Sequence, residues 1–88
     1  MKVIYKYPIE VKDSFTLTMY EFAQTLSVQV QRGEPQLWAI VEIDAPLVER
    51  HFCVRGTGHP LNGSEGHFIG TFQLLEGEFV GHLFEETP

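Results

Sequence analysis

Apolar and polar residues alternate with a period of two through most of this chain, and the i, i+3, i+4, i+7 spacing of an amphipathic helix is nowhere sustained. Successive side chains of a strand point to opposite faces, so the rhythm predicts a mainly β fold. A first strand near Lys2–Ile9 sets Val3, Tyr5, Tyr7 and Ile9 against Lys2, Ile4 and Lys6. Pro8 marks it as an edge or a strand end, because proline has no amide to give a ladder. A second strand is expected at Ser14–Thr18. Met19–Gln24 suits either one helical turn or a loop, since Met, Glu, Ala and Gln favour helices but the segment is too short to hold one alone.

Thr25–Gln31 is the clearest half-buried strand, with Leu26, Val28 and Val30 inward and Ser27, Gln29 and Gln31 outward. Arg32-Gly33-Glu34-Pro35 is turn chemistry, closing a hairpin onto Gln36–Ile43. In that arm Leu37, Ala39, Val41 and Ile43 share a face while Trp38 and Ile40 occupy the other, the pattern of a central strand covered on both sides. After a break at Asp44–Pro46, Val48–Arg55 sets Val48, Phe52 and Val54 against Glu49, His51, Cys53 and Arg55. Gly56–Gly66 carries four glycines and is the longest loop. His67–Leu75 and Glu78–Phe84 form a last pair joined at Glu76-Gly77, with Phe68, Phe72 and Leu74 alternating against Ile69, Thr71 and Gln73. About seven short, largely antiparallel strands in one small domain imply a sandwich or a partly open barrel over residues 1–85, with 86–88 a frayed tail.

At 88 residues a second independent core is not expected, and 43% hydrophobic residues suffice to build one. Cys53 is the only cysteine, so no disulfide forms within the chain and a reducing, cytoplasmic setting is expected. The N-terminal residues do not read as a signal peptide, and no apolar run nears the roughly 18 residues of a membrane helix; a soluble domain without a membrane partner is expected. The formal charge of -6 opposes general nucleic-acid binding. Its acidity is uneven: Glu76, Glu78, Glu85 and Glu86 lie near the C-terminus, where Lys and Arg are absent, and offer a surface to a basic partner.

Candidate chemistry is sparse. His51, His59, His67 and His82 lack the spacing of a metal set, with no CxxC or HExxH beside them, so neither a metal nor another cofactor is expected. Cys53 and His51 share one strand face, but i, i+2 neighbours stand roughly 6–7 Å apart at Cα and no orienting acid accompanies them. Catalytic residues are therefore not assigned, and the chain is not expected to be an enzyme. Gly56-Thr57-Gly58-His59-Pro60 stands out: glycines around a hydroxyl expose backbone amides to an anion, making Arg55, Gly56, Thr57, Gly58 and His59 the candidate ligand site for a phosphate or carboxylate. No helix follows to lend its dipole, and a tight structural loop is the alternative. Trp38, with Tyr5, Tyr7 and Tyr20, forms either a stacking platform for bases or ordinary core.

Several segments together resemble a family of short uncharacterised proteins of tailed phages and prophages: Ile4 with Lys6-Tyr7, Leu26-Ser27-Val28-Gln29-Val30-Gln31, Pro35 with Leu37-Trp38-Ala39 and Val41, Gly56-Thr57-Gly58-His59-Pro60, Phe68-Ile69-Gly70-Thr71 with Gln73, and Phe79-Val80 with His82 and Phe84-Glu85. The resemblance implies a source and no activity. The chain departs from it around Thr18–Gln24, where the pattern implies a shorter Pro/Gly-type connection, and the insertion carries Met19, Tyr20 and Phe22. Tyr20 and Phe22, with Glu76, Glu78 and Glu85, are the candidate partner-binding residues. Three functions follow as expectations: a phage-encoded binding protein that inhibits a host defence complex by stoichiometric protein contact in the host cytoplasm; an oligomeric sponge for a small phosphorylated, nucleotide-like ligand at the Gly56–Pro60 loop; or a minor virion structural or assembly factor. A homodimer through exposed sheet edges is compatible with each.

Overall fold

In a computed structural model that describes residues 1–86, the alternating segments form seven strands: β1 (Lys2–Pro8), β2 (Ser14–Tyr20), β3 (Gln24–Gln31), β4 (Glu34–Glu42), β5 (Leu47–Gly56), β6 (His67–Leu74) and β7 (Phe79–Glu85). All pairings are antiparallel. They make a three-stranded sheet in the order β1-β4-β3 and a four-stranded sheet in the order β2-β5-β7-β6, packed as a sandwich rather than closed into a barrel. β4 is central, as its two apolar faces foretold, and β1 is an edge that stops at Pro8. The C-terminal expectation divides: Glu86 is held by its amide on the His51 carbonyl (2.8 Å), while residues 87 and 88 lie outside the described residues.

The inner faces meet in a core of Met19, Val28, Leu37, Ala39, Val41, Phe52, Val54, Phe72 and Leu83, with Phe15 stacked on Phe52 at 5.5 Å. Gly33 and Arg32 both have positive φ (80° and 53°), the conformation that a two-residue hairpin loop matching strand twist requires, so Glu34 and Pro35 already belong to β4. Met19 and Tyr20 extend β2 instead of starting a helical turn, and Met19 is fully buried. β6 stops at Leu74, one residue short of the expected end, and a tight turn at Leu75–Gly77 carries the chain into β7.

Two bulges redirect side chains against the simple alternation. The register of β3 slips between Thr25 and Ser27, so Leu26 turns out to solvent; Val30 near the hairpin is also exposed, leaving Val28 as the buried residue of the trio. The register of β6 slips between Phe68 and Gly70, which separates Phe68 from the inward face of Phe72 and Leu74. β3 and β6 approach closely there: a Cβ on Gly70 would stand 2.9 Å from a methyl of Val28. A glycine inside β6 thus permits both the bulge and the contact between sheets.

Arg50 is an exception among inward-facing residues of β5. Its guanidinium makes two bonds to the Glu85 carboxylate (2.5 and 2.7 Å) and donates a third to the Ala23 carbonyl (2.6 Å), with both side chains about four-fifths buried (19% and 17% exposed). This bidentate pair ties the β2–β3 turn to the end of β7 and satisfies charges that the layer between the sheets otherwise disfavours.

Candidate functional site

The glycine-rich loop folds back over the outer face of the four-stranded sheet, where β5 supplies Cys53 and Arg55, β7 supplies His82 and Phe84, and the bulge of β6 supplies Phe68. Its first turn is fixed by the His59 amide donating to the Gly56 carbonyl (3.1 Å), with Gly58 at φ +86° in the third position, where this type of turn favours glycine. Gly56 is needed for another reason: the His59 ring lies against it, and a Cβ there would fall 2.9 Å from two ring atoms. The Thr57 amide donates to the Val80 carbonyl (3.3 Å).

The far half of the loop is organised by Glu65, which is only 5% exposed. Its carboxylate accepts the Asn62 and Gly63 amides (both 2.9 Å) and lies 3.4 Å from Arg55 Nε. Those bonds, that from Asn62 first, hold the carboxyl below its ordinary range against the opposing effect of burial. A nest of backbone amides around an anion does form in this loop, but at Asn62-Gly63, and the anion is the protein's own. Arg55 is committed as well, donating to the Asp13 and Val54 carbonyls (2.9 and 3.1 Å) besides its ion pair.

His82 fastens the loop from beneath. Thr57 Oγ1 lies 2.7 Å from its Nε2 and Thr71 Oγ1 lies 2.8 Å from its Nδ1, so a neutral ring donates to one hydroxyl and accepts from the other. The pair Thr57 and His82 has the spacing of a nucleophile and its base. The third member, Thr71, is a neutral hydroxyl where a catalytic triad places a carboxylate to offset the imidazolium charge. Cys53 lies beneath the loop, 1% exposed, with its thiol on the Glu65 carbonyl at 3.7 Å; burial pushes the thiol pKa up, away from a reactive thiolate.

What remains open is a pocket of about 230 Å3 lined by all five candidate ligand residues, Arg55, Gly56, Thr57, Gly58 and His59, together with Leu61, Phe68, His82 and Phe84. Phe68 packs edge-on against Phe84 at 5.5 Å, while half of Phe68 and more than half of Leu61 stay exposed. The structure therefore brings the five expected residues together at one pocket. At this pocket the Thr57 and His59 amides and the Arg55 guanidinium are already bonded within the protein, and Leu61, Phe68 and Phe84 wall the hollow. Phe68, His82 and Phe84 are absent from the sequence-derived site, because only the strand register and the β6 bulge bring them to it, and Leu61, two residues after His59 in the same loop, is a further lining residue outside that reading.

The candidate partner residues do not converge. Tyr20 pairs with Leu47 at one end of β5, and Phe22 projects from the adjoining turn, 89% exposed. Glu76 and Glu78 lie past the Leu74–Phe79 pair at the other end, with β5 spanning about 30 Å at roughly 3.3 Å per residue. Glu85 is occupied by Arg50. The expected aromatic platform is also dispersed. Trp38 lies on the outer face of the three-stranded sheet under Lys6 (5.8 Å to the ring centre), whereas Tyr5 meets Tyr20 in a tilted pair at 6.2 Å. Among the described residues, no three His, Cys, Asp or Glu side chains gather as a metal set would. A larger hollow of about 480 Å3 beside β2 is lined by Glu10, Lys12, Thr16, His51 and Glu86, where Glu10 and Lys12 pair with each other (2.9 Å).

No curated protein and no solved structure matches the chain. A family model does, described as a domain of unknown function (DUF7352), and because it matches residues 1–88 the chain belongs to that family over its whole length.

Proposed function

We propose that this sandwich is a non-enzymatic binding domain that takes one apolar side chain of a protein partner into the pocket between the glycine-rich loop and β6–β7. The observation that carries the reading is the state of the pocket. Exposed Leu61 and Phe68 wall a hollow whose cation, Arg55, is paired with Glu65. Its volume, about 230 Å3, lies below the roughly 300–1,000 Å3 common for small-molecule sites and suits a single anchoring side chain of the kind that dominates protein interfaces. A loop braced by Glu65 and His82 adds preorganisation, so little ordering cost falls on binding. In the setting implied by the resemblance to short phage proteins, the partner is a host protein held stoichiometrically in the host cytoplasm, a component of a defence complex being the leading candidate.

A small phosphorylated ligand in the same pocket is the second reading. One observation favours it: among the described residues the Gly58 amide has no acceptor, and His59 and His82 line the same pocket. Selection of a random peptide display library on the immobilised protein, with counter-selection on Phe68→Glu, separates the two. The protein-partner reading expects enriched peptides that share one aromatic or aliphatic anchor and fail on the variant. Peptides that bind the variant equally well, or no enrichment together with calorimetric binding of a nucleoside monophosphate, would overturn it.

A further inference from the structure

A second surface carries an inference independent of the pocket. Phe22 combines two features that folding alone disfavours. Its φ is +65°, in the left-handed region that a bulky L-residue rarely occupies, and its ring is 89% exposed. The turn that imposes this is well determined: the Ala23 amide donates to the Tyr20 carbonyl (3.1 Å), and the Glu21 amide donates to the Pro46 carbonyl (2.8 Å), tying the turn to the β4–β5 connection. Position three of such a turn is where glycine is favoured. A phenylalanine there stores strain and gains no packing in return.

Beside the ring is a hollow of about 300 Å3, lined largely by apolar atoms, to which Ile40, Val41, Ala45, Lys2, Glu21 and Glu42 contribute. Projection and hollow therefore belong to one patch, as a two-fold contact between identical subunits requires. The charges are arranged for the same occupant. The chain carries -6 overall, yet Lys2 lines this hollow together with Glu21, while Glu42 is held by the Met1 ammonium, so a two-fold axis can set Lys2 of each copy against Glu21 of the other. An unrelated acidic or basic partner would find opposite charge on only part of the rim.

We infer that two copies of this chain associate through this patch, each Phe22 ring entering the hollow of the other beside Lys2–Glu21 contacts. Sedimentation velocity across a dilution series tests it on wild type, Phe22→Gly and Lys2→Glu, with Phe68→Glu as a control at the other surface. The wild type and the control should dimerise alike. Phe22→Gly and Lys2→Glu should each raise the dissociation constant by about tenfold or more. Thermal melts of Phe22→Gly, taken at a dilution where both proteins are monomeric, should show a Tm no lower than wild type, because glycine relieves the strained φ. A wild type that stays monomeric to about 1 mM, or a dimer indifferent to Phe22→Gly, would overturn the inference. So would a lower monomer Tm for Phe22→Gly, since it would make the ring part of the fold.

Discussion

Gly66 closes the glycine-rich loop onto β7, and its replacement by alanine shows how firmly that closure is set. Its φ is +92°, and a Cβ would land 2.2 Å from the Glu85 carbonyl oxygen and 2.8 Å from the Glu86 Cα, both backbone atoms that cannot swing aside. Gly58 is the natural comparison: its φ is +86°, but a Cβ there meets nothing within 4 Å. Each Gly→Ala change forces an L-residue into the left-handed region at about 1–2 kcal/mol. At Gly66 the overlap must also displace the β7 end, where the Glu86 amide bonds to His51 and Glu85 holds Arg50 through two bonds; losing two of these three adds about 2 kcal/mol. The totals are about 1–2 kcal/mol for Gly58→Ala and about 3–4 kcal/mol for Gly66→Ala. For a domain of this size, roughly 4–8 °C per kcal/mol, Tm should fall by about 4–16 °C and about 12–32 °C respectively. Thermal unfolding followed by far-ultraviolet circular dichroism, checked by urea midpoints, measures both. A Gly66→Ala protein that melts within about 2 °C of Gly58→Ala would refute the docking of the loop on β7.

Glu65→Gln should destabilise the protein at neutral pH. Because the folded carboxyl titrates below its ordinary 4.5, its contribution is present above that value and lost as pH falls through the lowered one, so the gap from wild type should close on acidification; a gap that does not change with pH contradicts the assignment. Cys53 should resist thiol reagents in the native protein and react at the free-thiol rate in denaturant, as its 1% exposure and raised pKa require; fast native labelling contradicts this. Arg50→Met and Glu85→Leu should each cost about 2–3 kcal/mol in urea unfolding, less than a fully buried pair because both groups keep some solvent contact. The double variant should recover most of that loss, whereas additive losses would contradict a mutual pair.

The strands were legible because alternation is a local property: β4 announces its central place through Leu37, Ala39 and Val41 on one face and Trp38 and Ile40 on the other. The site was legible only in its loop. A bulge shifts every later residue to the opposite face, so Phe68 reads as inward beside Phe72 although it points into the pocket; Gly70 inside the strand was the available signal. The Thr57–His82 contact spans 25 positions and exists only through the β5–β7 register, which no local pattern encodes. Glu65 escaped notice as the loop's anchor because a lone glutamate in a glycine-rich stretch reads as solvated, and the Asn62-Gly63 pair before it was the clue. Phe22 shows the converse: nothing in a phenylalanine foretells positive φ, and the turn bonds alone impose it.

Amide hydrogen exchange across Gly56–Gly66, resolved residue by residue by NMR, tests most directly that this loop is a fixed wall with its own anion rather than an open cradle. Thr57 and His59, bonded to Val80 and Gly56, and Asn62 and Gly63, bonded to the Glu65 carboxylate, should be protected while Gly58 exchanges freely. Free exchange at all five, with protection appearing only when inorganic phosphate is added, would contradict it.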